Sequence, residues 1–362
     1  TIFKNASSDW LTDGAVDAAI AKDWSVILQD QTMLALIDEA LAYNPSLRSS
    51  AERVARSKAI LRQSRSSFFP RLDVDASGNA RTPLENSGFV DRYSGGLNAS
   101  WEVDIWGRIR AGIVASQFDL ASSKAFYRNA REALIAETAR SYVAVIEAKK
   151  QRALNQETLS ALQGTLRIVD IRHKLGAASR RETVLALSDV ASANDSLEVA
   201  DANVRATSRA LEVLLGRYPT ASIIVPDIFP DINPAIAAGR PADILRRRPD
   251  IRLAENAVQS AFAGVDVQVR TNWPRLTLSS DLSGAGANFG DLFDPASLAF
   301  SVGLRLADNL FDGGLTKGRI EVAKSDGRQA LAVYGQTVLD AFAEVESQLD
   351  AAMVLDRRRN FV

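Results

Sequence analysis

The chain of 362 residues contains no cysteine and one histidine, His173. Without cysteine there are no disulfides and no thiolate sites. One imidazole does not make a His-rich metal cluster or a Ser-His or Cys-His catalytic pair. Aromatic residues are only 7% of the sequence while alanine is plentiful, which suits long helices in close contact better than a large globular core. Neither sign of charge predominates: the net charge is −1, so no global field argues for nucleic acid or an anionic membrane surface. No run of about 18 apolar residues occurs, which excludes a transmembrane helix. Thr1 opens in polar sequence without a signal-peptide pattern, so an export signal is expected to have been removed or to lie upstream.

What the chain does carry is a repeat. "YNPSLRSSAERVARSKA" from Tyr43 is echoed by "RRPDIRLAENAVQSAFA" from Arg247, setting Pro45 against Pro249. The same offset sets Phe69-Pro70-Arg71-Leu72 against Trp273-Pro274-Arg275-Leu276. "EVDIWGRIR" from Glu102 corresponds to "ADNLFDGGL" from Ala307, and "YRNAREALIAE" from Tyr127 to "YGQTVLDAFAE" from Tyr334, with Glu137 opposite Glu344. Each repeat reads helix, strand, loop, strand, long helix. The first repeat, with an N-terminal segment, occupies 1–216, a linker 217–240 and the second repeat 241–362. The first repeat continues past its equivalent of Val362, so either the second copy is incomplete or, as expected here, its final helix lies beyond the end of this sequence.

Four strands are predicted, near 71–81, 93–104, 275–286 and 298–307. In the first, Leu72, Val74, Ala76, Gly78 and Ala80 alternate with Asp73, Asp75, Ser77 and Asn79. In the second, Tyr93, Gly95, Leu97, Ala99, Trp101 and Val103 alternate with Ser94, Gly96, Asn98, Ser100, Glu102 and Asp104. In the fourth, Leu298, Phe300, Val302, Leu304 and Leu306 alternate with Ala299, Ser301, Gly303, Arg305 and Ala307. A period of two with one apolar face marks a half-buried strand. Lengths near ten residues also match strands of outer-membrane barrels. Two readings follow: a soluble antiparallel sheet packed on the helices, or membrane strands. Membrane barrels have at least about eight strands, so the second reading requires several chains to share one barrel.

The boundaries of the strands favour the membrane. Pro70 and Pro274 suit a first strand residue, where proline neither continues a helix nor has to donate to a ladder. Phe69, Trp273 and the later Trp101, Trp106 and Phe311 suit a membrane–water boundary, where an amphipathic ring has a preferred depth. On the polar face, Asp73, Asp75, Ser77, Asn98, Glu102 and Asp281 are candidate barrel-lumen residues. The segments "TPLENSGFVDR" and "ANFGDLFDP" read as polar loops.

Two long helices follow the first hairpin, near 108–175 and 180–215. The first has no proline and glycine only at 112 and 164. In the second, Val190, Ala193, Leu197, Ala200, Val204, Thr207, Leu211 and Leu214 form a heptad seam of alternating large and small residues. Leu159, Leu162, Leu166 and Val169 make a matching stripe, which predicts an antiparallel pair. The turn between them, "HKLGAASRRE", has Gly176 as a C′ residue and the Ser179–Glu182 spacing of a capping box.

Other signals carry less. The Arg246–Arg248 run begins a helix without aromatic interleaving and reads as a solvated or interface feature. "GAGANFG" from Gly284 lacks dinucleotide spacing and lies in a predicted hairpin loop. The acids Asp73, Asp75 and Asp281 show no spacing for general acid–base work. No nucleophile, metal or phosphate motif remains, so neither catalysis nor a cofactor is expected.

Taken in order, "NPSLRSSAERV", "FFPRL", "WEVDIWGRIRA", "LGAASRRETVLA", "LLGRYP", "ADILRRRPDIRLAE", "NWPRL" and "LFDGG" span nearly the whole chain. They resemble the TolC-type outer-membrane efflux ducts, specifically the branch serving resistance-nodulation-division pumps. The fold this implies is mainly α with a membrane β-barrel portion: repeated long coiled helices plus two β-hairpins per chain, assembled as a trimeric α-barrel/β-barrel tunnel. The resemblance implies a homotrimer in outer-membrane lipid, reaching into the periplasm. It also implies a passive conduit for drugs or other toxic solutes, coupled to a periplasmic adaptor and an inner-membrane proton-driven pump. By resemblance, Gly176, Arg180, Arg181 and Glu182 are the periplasmic gate and adaptor-contact candidates; by spacing alone, Glu182 caps its own helix. The family's acylated cysteine is absent from Thr1–Val362, which departs from the pattern for a lipid anchor, and its second helical turn is expected beyond Val362. A type I protein secretion duct of the same fold and a soluble coiled-coil scaffold are the alternatives.

Overall fold

The structure, a computed structural model, describes residues 30–81, 90–230 and 247–359. Most of the loop predicted at 82–92, the end of the 217–240 linker and Arg246 lie outside the described residues. The chain divides into two compact units. One includes Arg53–Phe126 and Ile244–Gln348; the other includes Ser7–Glu52, Tyr127–Asp243 and Leu349–Val362. Each takes segments from both sequence repeats, so the repeats and the compact units are different divisions of the chain.

The second unit is helical. α1 (Gln31–Tyr43) starts at Asp30, whose carboxylate accepts from the amides of Thr32 and Met33 at 2.8 and 3.1 Å. α2 (Pro45–Ser66) starts on Asn44, which accepts from Ser46 and Leu47, with Pro45 in the first-turn position that needs no N–H. The Asn44 side-chain amide also donates to the Leu214 carbonyl at 2.9 Å, tying this corner to the end of α4 (Arg180–Leu214). Met33, Leu36, Ile37 and Ala40, spaced for one helix face, pack with Tyr142, Val145 and Ile146 of α3 (Arg108–Lys174) and with Leu211 and Leu215. Each large side chain so buried contributes about 1.5–3 kcal/mol.

α3 and α4 run antiparallel, as Arg152 paired with Asp201 and Asn155 donating to the Ser196 carbonyl require. Ala186, Ala193 and Ala200, seven residues apart, are buried on the α4 side of the seam and Leu159 on the α3 side. Small residues at one heptad position let the two backbones approach, which is why so little aromatic mass is needed here.

Two polar clamps finish this unit. The Tyr142 hydroxyl donates to Asp30 at 2.7 Å. Glu212, only 2% exposed, accepts from the amides of Ala221, Ser222 and Ile223 at 2.7–3.1 Å and from the Thr220 hydroxyl. Ala221 has φ 61°, a left-handed backbone that this carboxylate holds in place. Burial works against ionising Glu212, yet those amides outweigh it and hold its pKa below the ordinary value. Asp30 is likewise depressed, with burial opposed by the Tyr142 hydroxyl and the first-turn amides.

The first unit carries the sheet. β1 (Arg71–Arg81), β2 (Val90–Val103), β3 (Arg275–Gly286) and β4 (Leu298–Ala307) form one antiparallel meander in that order. The second strand begins at Val90, three residues before the alternation starting at Tyr93 suggests. It ends at Val103, because Asp104 turns to accept from the Ile109 and Arg110 amides and starts α3. α5 (Pro249–Thr271) leads into β3, and α6 (Leu315–Arg359) follows β4. Serine pairs join α2 to α3 at 2.7 Å, Ser57 with Ser123 and Ser64 with Ser116. Arg248, ahead of Pro249, bridges Asp250 and Glu344, linking the start of α5 to α6. No helix among the described residues is long and apolar enough to cross a membrane.

Glu212→Ala leaves the amides of Ala221, Ser222 and Ile223 without their acceptor and is expected to cost about 1–3 kcal/mol, measured by denaturant unfolding. Glu212 and Asp30 have folded pKa values below their unfolded ones. Their stabilisation is therefore complete above the ordinary carboxylate range and is lost as pH falls through it. Unfolding midpoints of the unsubstituted protein should drop between pH 6 and about 3, and Glu212→Ala should lose less over that interval.

Candidate functional site

The β2–β3 register joins the two hairpins and aligns their faces. Directly paired residues of an antiparallel sheet point to the same side. One face therefore carries the rows Val74–Leu97–Leu282–Phe300, Leu72–Ala99–Ser280–Val302 and Trp101–Leu278–Leu304, ending in Val103–Leu276–Leu306. The other carries Asp73–Asn98–Asp281–Ser301, Asp75–Gly96–Ser283–Ala299 and Glu102–Thr277–Arg305. The candidate lumen residues Asp73, Asp75, Asn98, Glu102 and Asp281 thus share one face, as does Ser77, whose hydroxyl bonds to that of Ser94.

Along most of its length the apolar face is uncovered among the described residues. Val74 is 79% exposed, Phe300 69%, Leu304 68% and Leu306 66%. A sheet packed on its own helices would bury these residues, so that reading of the alternation is overturned. An apolar face this continuous marks a surface made for another apolar medium. From Tyr93 to Val103 a strand rises about 33 Å at about 3.3 Å per residue. A tilt of about 40° reduces that to about 25 Å, the height of an outer-membrane barrel's apolar band.

Aromatic rings mark both ends of this band. Where the strands meet the helices, Trp106 lies on Trp273 with ring centroids 5.1 Å apart, and its indole N–H donates to the Pro274 carbonyl at 2.7 Å. Trp101 donates to the Phe68 carbonyl at 3.0 Å, and Phe68 meets Phe69 edge to face. Phe311 stands exposed between β4 and α6. At the loop end, Tyr93 meets Phe289, and Phe289 meets Phe293, both edge to face. The last two belong to a 3-10 helix, Phe289–Phe293, in the segment expected to be a polar loop. The Asn288-x-x-Asp291 spacing of a capping box was the available signal, and it forms.

The polar face is internally bonded. Arg71 pairs with Asp73, Asn98 donates to Asp75, and Ser283 donates to Asp281 at 2.7 Å. Glu102 receives a two-pronged bond from Arg108 at 2.9 and 2.7 Å, which fixes the start of α3 under the sheet. That Arg108 partner is not apparent from the alternation.

At the α3–α4 turn, Gly176 has φ 76°, a conformation an L side chain resists. Its amide bonds to the His173 carbonyl and that of Ala177 to the Arg172 carbonyl, so α3 ends in a Schellman motif. Ser179 and Glu182 then form the full capping box: the Ser179 amide donates to the Glu182 carboxylate at 2.7 Å, and the Glu182 amide to the Ser179 hydroxyl at 3.3 Å. His173 closes the turn through the Ala178 carbonyl at 2.8 Å, a role invisible in sequence. Arg180 and Arg181 are exposed beside Glu182. Among the described residues no group of His, Asp or Glu is placed to hold a metal ion.

The family model for outer membrane efflux proteins matches residues 36–217 and 241–361, and the chain belongs to that family. It is 30% identical over 344 residues to outer membrane protein OprJ of Pseudomonas aeruginosa, covering 92% of this chain and 72% of that one. It is 27% identical to the pyoverdine export outer membrane protein OpmQ of the same species, covering 98% and 77%. A crystal structure of a membrane protein from Pseudomonas aeruginosa superposes with a TM-score of 0.88 at 28% identity, covering 98% of this chain and 83% of that one. The protein is thus a TolC-type outer-membrane efflux channel that extends into the periplasm, and the soluble scaffold is set aside.

Glu182→Ala removes one half of the capping box and is expected to cost on the order of 1 kcal/mol locally. Amide hydrogen exchange around Ser179 should speed up severalfold while single-channel conductance stays unchanged. Raised conductance would instead put this carboxylate at a constriction.

Proposed function

We propose that three copies of this chain close one twelve-stranded barrel over a common helical tunnel, forming the outer-membrane exit of a tripartite pump. The observation that carries this is the open four-stranded sheet, apolar and largely uncovered on one side, polar on the other, with both edges unpaired among the described residues. The apolar face lies against lipid, and the face bearing Asp73, Asp75, Ser77, Asn98, Glu102 and Asp281 lines the water-filled lumen. Phe69, Trp101, Trp106, Trp273 and Phe311 sit at the periplasmic membrane boundary. Transport is passive down the conduit, driven by an inner-membrane proton-coupled pump through a periplasmic adaptor.

The Gly176 turn is the adaptor contact and part of the periplasmic gate. Arg180 and Arg181 offer charge there, and Glu182 shapes the turn that presents them. The lumen face carries small hydroxyls, amides and acids, and the choice of drug or other toxic solute is assigned to the pump. A type I secretion duct would share the fold, and copurification separates the two by which inner-membrane partner is recovered.

In detergent the protein is expected to have the mass of three chains and to conduct in a planar bilayer. A monomer without conductance contradicts the reading. Charge reversal at both arginines, Arg180→Glu with Arg181→Glu, should abolish drug export in cells while the outer-membrane level stays normal; retained export would remove the turn from the contact.

A further inference from the structure

The 3-10 helix between β3 and β4 does not lie over the polar face. β3 residues 282, 284 and 286 share the apolar face, and a Cβ on Gly284 would stand 2.7 Å from the Leu292 carbonyl oxygen. A Cβ on Gly286 would stand 2.2 Å from that of Asp291. Only glycine at these two places admits the close approach of the loop, so the sequence is built to fold it back onto the outside of the sheet. Phe289 reaches across to Tyr93 on the same face of β2. The loop thus covers β2 and β3, in the middle of the sheet, and leaves the free edges β1 and β4 clear for a neighbouring copy.

Its own polar groups are satisfied from within. The Asp291, Asp294 and Ser297 amides bond to the carbonyls of Asn288, Asp291 and Asp294. The Asp291 carboxylate accepts from the Asn288 amide, and that of Asp294 from the Ala296 amide. Meanwhile Phe289 and Phe293 are 61% and 74% exposed. Backbone amides bonded within the loop, as these five are, together with aromatic rings turned outward suit the headgroup boundary of a bilayer.

We propose that Phe289–Phe293 is a lipid-seated anchor: its rings insert at the boundary between headgroups and acyl chains of the outer leaflet, on the outside of the barrel, and the loop is not a lid over the channel mouth. This rests on the membrane reading of the sheet, because the surface it extends is the apolar face already assigned to lipid. The rings then set the depth at the outer end, as Trp106 and Trp273 do at the periplasmic end.

The cysteine-free chain permits one nitroxide label per variant. Full-length Phe293→Cys, Val302→Cys and Ser301→Cys are labelled and reconstituted in vesicles of phosphatidylethanolamine and phosphatidylglycerol. Power-saturation spectroscopy then compares collisions with oxygen and with a water-soluble nickel chelate. Val302 should favour oxygen and Ser301 the chelate. Phe293 is expected to favour oxygen severalfold over the Ser301 label, at a shallower depth than Val302. A Phe293 label that matches Ser301 while Val302 favours oxygen overturns the anchor and leaves the barrel reading standing. If Val302 also matches Ser301, the membrane reading fails and the anchor fails with it.

Discussion

Everything in this chain is subordinate to the edges of one sheet. β1 and β4 each present a row of backbone N–H and C=O groups with no strand partner among the described residues. Water tolerates such an edge, but hydrocarbon does not, because each unsatisfied group there costs several kcal/mol. A sheet with an exposed apolar face placed in a bilayer therefore has to satisfy its edges, and in the proposed trimer it does so against another copy. That proposed assembly rests on backbone chemistry rather than on any single side chain, and the polar face becomes an interior only when the edges close.

The helical part obeys a different economy of means. Its seams are alanine and serine, and its ends are held by capping groups and by carboxylates that gather several amides at once, as Glu212 does. Such packing tolerates long, slender elements with few aromatics. The rings are instead concentrated at the two ends of the strands, where a bilayer changes from apolar to polar within a short distance. Composition and architecture agree: the aromatic residues the helices do not need are found where the membrane needs them.

The strand faces and the α3–α4 turn were legible because each rests on local periodicity or spacing. Alternation from Leu72 and from Leu298 assigns residues to faces before any coordinates exist, and Ser179-x-x-Glu182 specifies its own two hydrogen bonds. What escaped depends on distant partners. Trp106 on Trp273, Arg108 on Glu102 and Tyr142 on Asp30 are separated in sequence and join only in the fold. The Phe289–Phe293 helix escaped because acids, glycine and proline around it read as solvated loop, although its caps were spelled out. Glu182 shows a third case: the same residue fits a gate by resemblance and a cap by geometry, and the bonds observed are those of the cap.

The central claim is that β4 of one copy pairs with β1 of the next, and disulfide mapping tests it most directly. One cysteine at Asp75 is combined in turn with single cysteines along β4 from Ala299 to Arg305, and the membranes are oxidised. The account predicts covalent dimers and trimers only for β4 positions on the polar face, with none for the alternate positions on the apolar face. Cross-linking with no alternation, or chains that remain monomeric at every position, would contradict it.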